Sequence, residues 1–292
     1  LRHRLIYETA LEQQALEGLR QASRVGSLVV VERAKQILDK AVTEPAAQDL
    51  RARLMELSEA LYQSTHAQLS VEKYQAIAVG RGASSDTADI PLNNRWWLEE
   101  RLRAIAGMAD ERERLAAIGE IVNWTNPGPG GFYDDLGDLS RQTHLVRGLG
   151  YPSDPAFLES SYVGIGRGGV GRINLVTGYQ TNYPRSWVSL GAALNDTPLK
   201  MRYEGLAPQA EYKIRVVYAG GDVGPKLRLV ANGTYEIHSW LSRPVPFRPL
   251  EFDIPKAATA GGKLELTFTR EPGLPGNGRG LEIGEVWLIR KH

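Results

Sequence analysis

The sequence has no cysteine among its 292 residues. Disulfides, thiolate metal sites, iron–sulfur clusters and cysteine nucleophiles are therefore excluded. No apolar run approaches the ~20 residues that cross a bilayer as a helix. An excess of either charge is missing too: 35 Lys+Arg stand against 34 Asp+Glu, a net charge of +1. That balance gives no global case for nucleic acid or an anionic membrane as partner. No signal-peptide pattern precedes the first structured stretch. The chain opens on Leu1 and enters helix-like sequence at once, which reads as a processed chain or a piece of something longer. Neither a Gly-x-Ser-x-Gly elbow nor a His-Glu-x-x-His motif occurs.

What is present changes texture along the chain. Tyr7, Leu11, Ala15, Leu19 and Ala22 recur at helical spacing, and Gly26-Ser27 breaks the pattern. Val30, Ala34, Ile37 and Ala41 mark a second helix. Pro45 suits the first turn of a third, where its missing N–H costs nothing. That helix carries the stripe Leu50, Leu54, Leu57 and Leu61. Ser70 to Ile77 reads as a short helix, and the polar stretch that follows as a long loop. Trp97, Leu98, Leu102 and Ile105 mark another helix, with Leu115, Ile118 and Val122 on the last.

Prolines and glycines take over at Asn123, followed by a cluster of acids, and β signals come after. Tyr212, Ile214, Val216 and Tyr218 alternate with Lys213, Arg215 and Val217, so the first set shares one sheet face. Asn232-Gly233 is a strong hairpin signal. Leu264, Leu266 and Phe268 alternate again, and Glu285 to Arg290 closes the chain as a strand. Gly205 to Pro208 before Tyr212 resembles a tyrosine corner, whose hydroxyl bonds back to the preceding turn. The expected fold is α+β. An N-terminal helical bundle spans 1–122 and an ordered Pro/Gly/Asp-rich connector 123–160. An antiparallel β-sandwich of jelly-roll or fibronectin-like topology spans 161–292.

The strings NWTNPGPGGFYDDLGD (123–138), RPLEFDIPKAATAGGKLELTFTREPG (248–273) and GRGLEIGEVWLIRKH (278–292) carry a resemblance. They resemble the C-terminal region of large predicted secreted proteins of soil bacteria, presumed to act on glycans. The closing segment is similar to malectin-like and galactose-binding-like jelly rolls, the fold of many carbohydrate-binding modules. The resemblance implies an accessory, non-catalytic region of a polysaccharide-processing protein, secreted or periplasmic. It implies an oligo- or polysaccharide as partner and a catalytic domain upstream. No functional residue comes with it.

Candidate residues follow from their chemistry. Asp134, Asp135 and Asp138 lie within five positions on a glycine-rich stretch and could supply part of a Ca²⁺ shell, which needs six to eight oxygens. Their plainer reading is a solvated acidic turn. The same acids are the candidates for a glycoside hydrolase, which needs two carboxylates across the bond. Tyr133, His144 and Arg141 are the candidates for a polysaccharide lyase: a base for a carbon acid and a cation for the carboxylate. The alternative for His144 is a hydrogen-bonded structural histidine. Trp96, Trp97, Tyr133, Arg141 and Tyr183 have the aromatic and polar character of saccharide contacts. Trp124, Trp187 and Trp240 are similar candidates, with packing the plainer reading of each. A purely structural or protein-interaction role is the third class of function open to this sequence.

Overall fold

The computed structural model describes residues 2–66, 90–138, 140–146, 163–167, 183–187, 189–193, 196–219, 224–273 and 280–291. The chain divides into two compact units, Leu1–Thr125 with Gly171–Pro184, and Asn126–Val170 with Arg185–His292. The helix expected over 70–77 lies outside the described residues.

The first unit is helical. Its elements are α1 (Arg2–Leu19), the single turn α2 (Ala22–Val25), α3 (Ser27–Thr43), α4 (Pro45–Thr65), α5 (Arg95–Ala106) and α6 (Glu111–Val122). Gly26 takes φ 102°, a left-handed value that favours glycine, and this breaks the helix between α2 and α3. The stripes of α1 and α3 meet as the periodicity predicts. Ala15, Leu19, Val30, Ala34 and Leu38 pack with Trp97, Leu98, Leu102 and Ile105 of α5 and with Ile118 of α6. Two carboxylates of α1 fix the approach to α5, for Leu92 N–H donates to Glu8 Oε2 at 2.6 Å and Asn94 N–H to Glu12 Oε2 at 2.9 Å. The stripe of α4 behaves differently. Only Ala47 is buried, while Leu57 and Leu61 are 58% and 45% exposed. Periodicity shows which face of a helix is apolar; it does not supply a neighbour to cover it.

The second unit is the expected sandwich. Its strands are β1 (Phe132–Asp135), β2 (Val163–Arg167), β3 (Ser189–Ala193), β4 (Leu199–Glu204), β5 (Tyr212–Tyr218), β6 (Leu227–Ala231), β7 (Tyr235–Leu241), β8 (Leu250–Ile254), β9 (Lys263–Arg270) and β10 (Leu281–Arg290). A short helix, α7 (Lys256–Thr259), lies between β8 and β9. All pairings are antiparallel.

One sheet runs β2-β3-β10-β5-β8 and the other β4-β9-β6-β7. From β3 onward the chain changes sheet at every step except the β6–β7 hairpin. That alternation is the jelly roll. A fibronectin-like sandwich, in which about half of the consecutive strands stay within one sheet, lacks it. In the hairpin, Asn232 and Gly233 both have positive φ, 48° and 70°, as the centre of a primed turn closed by Thr234 N–H to Ala231 O requires. β1 lies outside the eight-strand pattern. It pairs with the C-terminal half of β10, while β3 takes the N-terminal half. The stretch read as a connector thus contributes a strand to the first sheet. Inward residues of both sheets, among them Met201, Tyr203, Ile214, Val216, Leu229, Leu266, Phe268 and Val286, form one core.

Candidate functional site

Successive side chains of a strand point to opposite faces, and in β1 this separates two neighbouring acids. Asp134 faces the core and is wholly buried. Its carboxylate accepts from Tyr203 O–H at 3.0 Å, from the backbone N–H of His144 at 3.2 Å, and from His144 Nδ1 at 2.9 Å. A buried carboxylate survives only with such partners. The acceptor also places a proton on Nδ1 of the histidine. The His144 ring stacks on Tyr203 at 4.5 Å and meets the edge of Phe132 at 5.0 Å. Its backbone joins in as well, because Arg202 N–H donates to His144 O at 2.8 Å and ties this segment to β4.

Tyr133 and Asp135 occupy the opposite face. Tyr133 O–H donates to Glu285 Oε1 and Trp187 Nε1–H to Glu285 Oε2, both at 2.7 Å. Asp135 and Glu285 are direct cross-strand partners in the β1–β10 ladder. Burial raises the Asp135 carboxyl to about 7; the Glu285 charge adds to the rise, and the Gly137 N–H bond opposes it. Burial and then Glu285 also push the Tyr133 phenol well above its ordinary value. Gly137 is required for another reason: a Cβ there would lie 2.1 Å from Ser189 O, so this turn after β1 can close on β3 only without a side chain.

The three acids do not converge. Asp134 is held by Tyr203 and His144, Asp135 accepts from Gly137 N–H, and Asp138 accepts from Ser140 N–H and O–H. Among the described residues no group of three His, Asp or Glu side chains could hold a metal ion. The pleat also parts the lyase candidates: His144 goes with Asp134 on the core side, and Tyr133 points away. Arg141 is exposed and pairs loosely with Asp138 at 3.8 Å. Trp97 is only 6% exposed and meets Trp124 edge-on at 5.6 Å. Trp96 and Tyr183 are half-buried. The acids are brought together in one pair that the sequence did not suggest, Asp135 with Glu285.

Trp240 stands apart among the tryptophans the sequence singled out. It is 42% exposed, on the edge strand β7, whereas Trp187 and Trp97 are each at 6%. The outward face of its sheet is polar. Arg228 pairs with Glu236 at 2.7 Å, Arg202 with Glu265 at 2.9 Å, and Lys263 with Glu204 at 3.0 Å. β7 is irregular, however. Leu227 pairs with Leu241 and Leu229 with His238, so two steps on β6 match three on β7. The next step, Leu229 to Val230, again matches one residue too many, His238 to Glu236. Trp240 thus lies in a bulge opposite Arg228. A signal was present in the sequence: Trp240 shares strand parity with Glu236, the solvent side.

No family model and no curated protein sequence matches the chain. Among solved structures it is similar to an exo-β-1,3-galactanase from Phanerochaete chrysosporium with galactose, at 11% identity and a TM-score of 0.30. It is also similar to the ANXUR1 extracellular domain from Arabidopsis thaliana, at 9% identity and 0.38, and to the plant receptor-like kinase FER, at 12% and 0.36. Each match covers 55% of this chain; it spans 29% of the galactanase and 42% of each of the other two.

Proposed function

We propose that this chain is an accessory, saccharide-binding region of a polysaccharide-processing protein that works outside the cytoplasm. The single observation behind this reading is Trp240, a large aromatic left 42% exposed on the edge strand of a jelly-roll sheet. The negative face of an indole suits the C–H edge of a pyranose ring. Arg228, opposite the bulge on β6, and its ion-pair partner Glu236 offer a donor and an acceptor to the sugar hydroxyls. Such a surface binds without transforming, in keeping with a non-catalytic role. No described helix is long and apolar enough to cross a membrane.

The test is a panel of oligo- and polysaccharides probed with wild type and Trp240→Ala. Binding that the substitution weakens by about tenfold or more, and that Trp240→Tyr largely keeps, supports the reading. Binding unchanged in Trp240→Ala, or none across the panel, overturns it.

A second reading rests on the carboxylate pair. Asp135 and Glu285 face each other across two strands, with the proton affinity of Asp135 lifted to about 7. Retaining glycoside hydrolases use two carboxyls ~5–5.5 Å apart, one of them kept protonated. Release of reducing ends by wild type, lost in Asp135→Asn, would favour this reading over the first.

A further inference from the structure

Between the two bulges of β7 sits His238, and strand parity alone would turn its side chain outward with Glu236. The first bulge turns it inward instead. It is 8% exposed, between Tyr218 of β5 at 5.6 Å and Phe252 of β8 at 4.6 Å. Both ring nitrogens are in use. Nδ1 lies 2.8 Å from the carbonyl of Ser239, and Nε2 lies 2.6 Å from the Tyr218 hydroxyl. A carbonyl only accepts, so Nδ1 bears the proton. Nε2 of the neutral ring then accepts from Tyr218 O–H. The Ser239 carbonyl belongs to the peptide that leads into Trp240.

We infer that His238 is the positioning residue of the Trp240 surface: its neutral ring pins the bulged segment 238–240 to the core through Ser239 O and Tyr218, and acid breaks the Tyr218 half of that pin. The inference rests on the saccharide-binding reading for its functional consequence, but not for its structural one. Protonation puts a second N–H on the ring, aimed at the Tyr218 oxygen. Tyr218 must then turn its own hydrogen away from the ring, into a buried surrounding that includes Phe268 and the charge of Arg243. Burial disfavours the charged ring and holds the His238 pKa below the ordinary histidine value. The pin is therefore complete at neutral pH and above, and its Tyr218 half is lost as pH falls through that lowered value, while Nδ1–H keeps its bond to Ser239 O.

Other charges around the ring are already engaged. Glu236 on β7 favours the imidazolium but is paired with Arg228 of β6. On β8, Glu251 is taken by Lys213 and Arg215, and Asp253 by Lys291. Arg243, which acts on Tyr218, donates to Ala219 O and pairs with Glu282.

The experiment follows the indole N–H signal of Trp240 by two-dimensional NMR on the full chain, assigned by its absence in Trp240→Phe. Titrating wild type from about pH 8 to about pH 5 should move or broaden that signal with a midpoint below the usual histidine value. His238→Phe should give the acid-type signal already at pH 8 and weaken saccharide binding about tenfold. His238→Asn, whose amide N–H can stand in for Nδ1–H, should restore most of both. A Trp240 signal indifferent to pH in wild type overturns the inference even if His238→Phe does not fold. If the signal responds while wild type binds no saccharide, the pin stands and the saccharide reading falls. If Trp240→Ala abolishes binding while the signal ignores both pH and His238, the pin falls and the saccharide reading stands.

Discussion

Asp135 faces Glu285 directly across the β1–β10 ladder, with the Gly137 N–H donating to it at 3.0 Å. Burial and the like charge opposite lift its carboxyl to about 7. In the unfolded chain the same group titrates near 3.9. Below that value both states hold the proton and the site is neutral to stability. As pH rises toward 7 the unfolded state loses its proton first, so folding weakens, and the full cost is present above pH 7. The difference corresponds to about 2–4 kcal/mol at 1.36 kcal/mol per unit. Asp135→Asn should therefore raise the denaturation midpoint at pH 8 and leave it nearly unchanged at pH 4. Urea titrations at the two pH values check this; an equal effect at both would remove the pair as the cause.

Asp134, one residue earlier, should behave in the opposite way on substitution. Asp134→Ala leaves the Tyr203 hydroxyl and the His144 Nδ1–H without their acceptor inside the core. Orphaned buried donors cost about 1–3 kcal/mol each, so a loss of about 3 kcal/mol or more is expected. Tyr203→Phe removes a donor and leaves the carboxylate its two His144 bonds, so it should cost only about 1 kcal/mol. Denaturant midpoints of the two variants give the order. A mild Asp134→Ala would mean that the carboxylate is not what holds His144 in place.

These two acids also mark where the sequence stopped being informative. The stripes of α1 and α3 and the alternation of β5 are local patterns, and they became buried faces as read. β1 is only four residues long and follows a Pro/Gly run. It is a strand because β10, some 150 positions later in the chain, pairs with it. Nothing local announces that. Asp134 looks like a surface acid until Tyr203, 69 residues away, and His144 supply its bonds. Trp240 erred in the other direction. Its parity with Glu236 was legible, but the bulges that free it are set by pairing with β6. The stripe of α4 was read correctly as apolar, yet Leu57 and Leu61 stay exposed.

In the helical unit the pH dependence has the reverse sign. Glu111, the first residue of α6, accepts from Ser27 N–H at 3.1 Å and from the Ser27 hydroxyl, at the start of α3. The Ser27 hydroxyl and then Arg114 draw its carboxyl down to about 2. A depressed acid stabilises above its unfolded pKa, near 4.3, and loses that contribution as pH falls toward 2. Helical circular dichroism should show acid weakening between those values in wild type and a flatter profile in Glu111→Gln. Ser27→Ala should move the wild-type transition to higher pH. Identical profiles for all three would show that this bond does not tie α3 to α6.

Tyr212 links a sequence motif to the topology most directly. Its hydroxyl accepts from the Ala207 N–H at 2.9 Å, across the turn that carries the chain from β4 in one sheet to β5 in the other. Gly205 takes φ 72° in the same turn, and Leu206 N–H donates to Gly262 O at 3.0 Å. The crossover is thus fixed at three successive residues, and the ring of Tyr212 is itself buried in the core. Phenylalanine keeps that packing and removes only the acceptor, so Ala207 N–H must turn to water or go unpaired. Tyr212→Phe should cost about 1–2 kcal/mol, read as a lower urea midpoint with an unchanged slope. A changed slope would mean that the crossover itself had loosened; no change in either would mean that Gly205 and the Leu206 bond hold the turn without Tyr212.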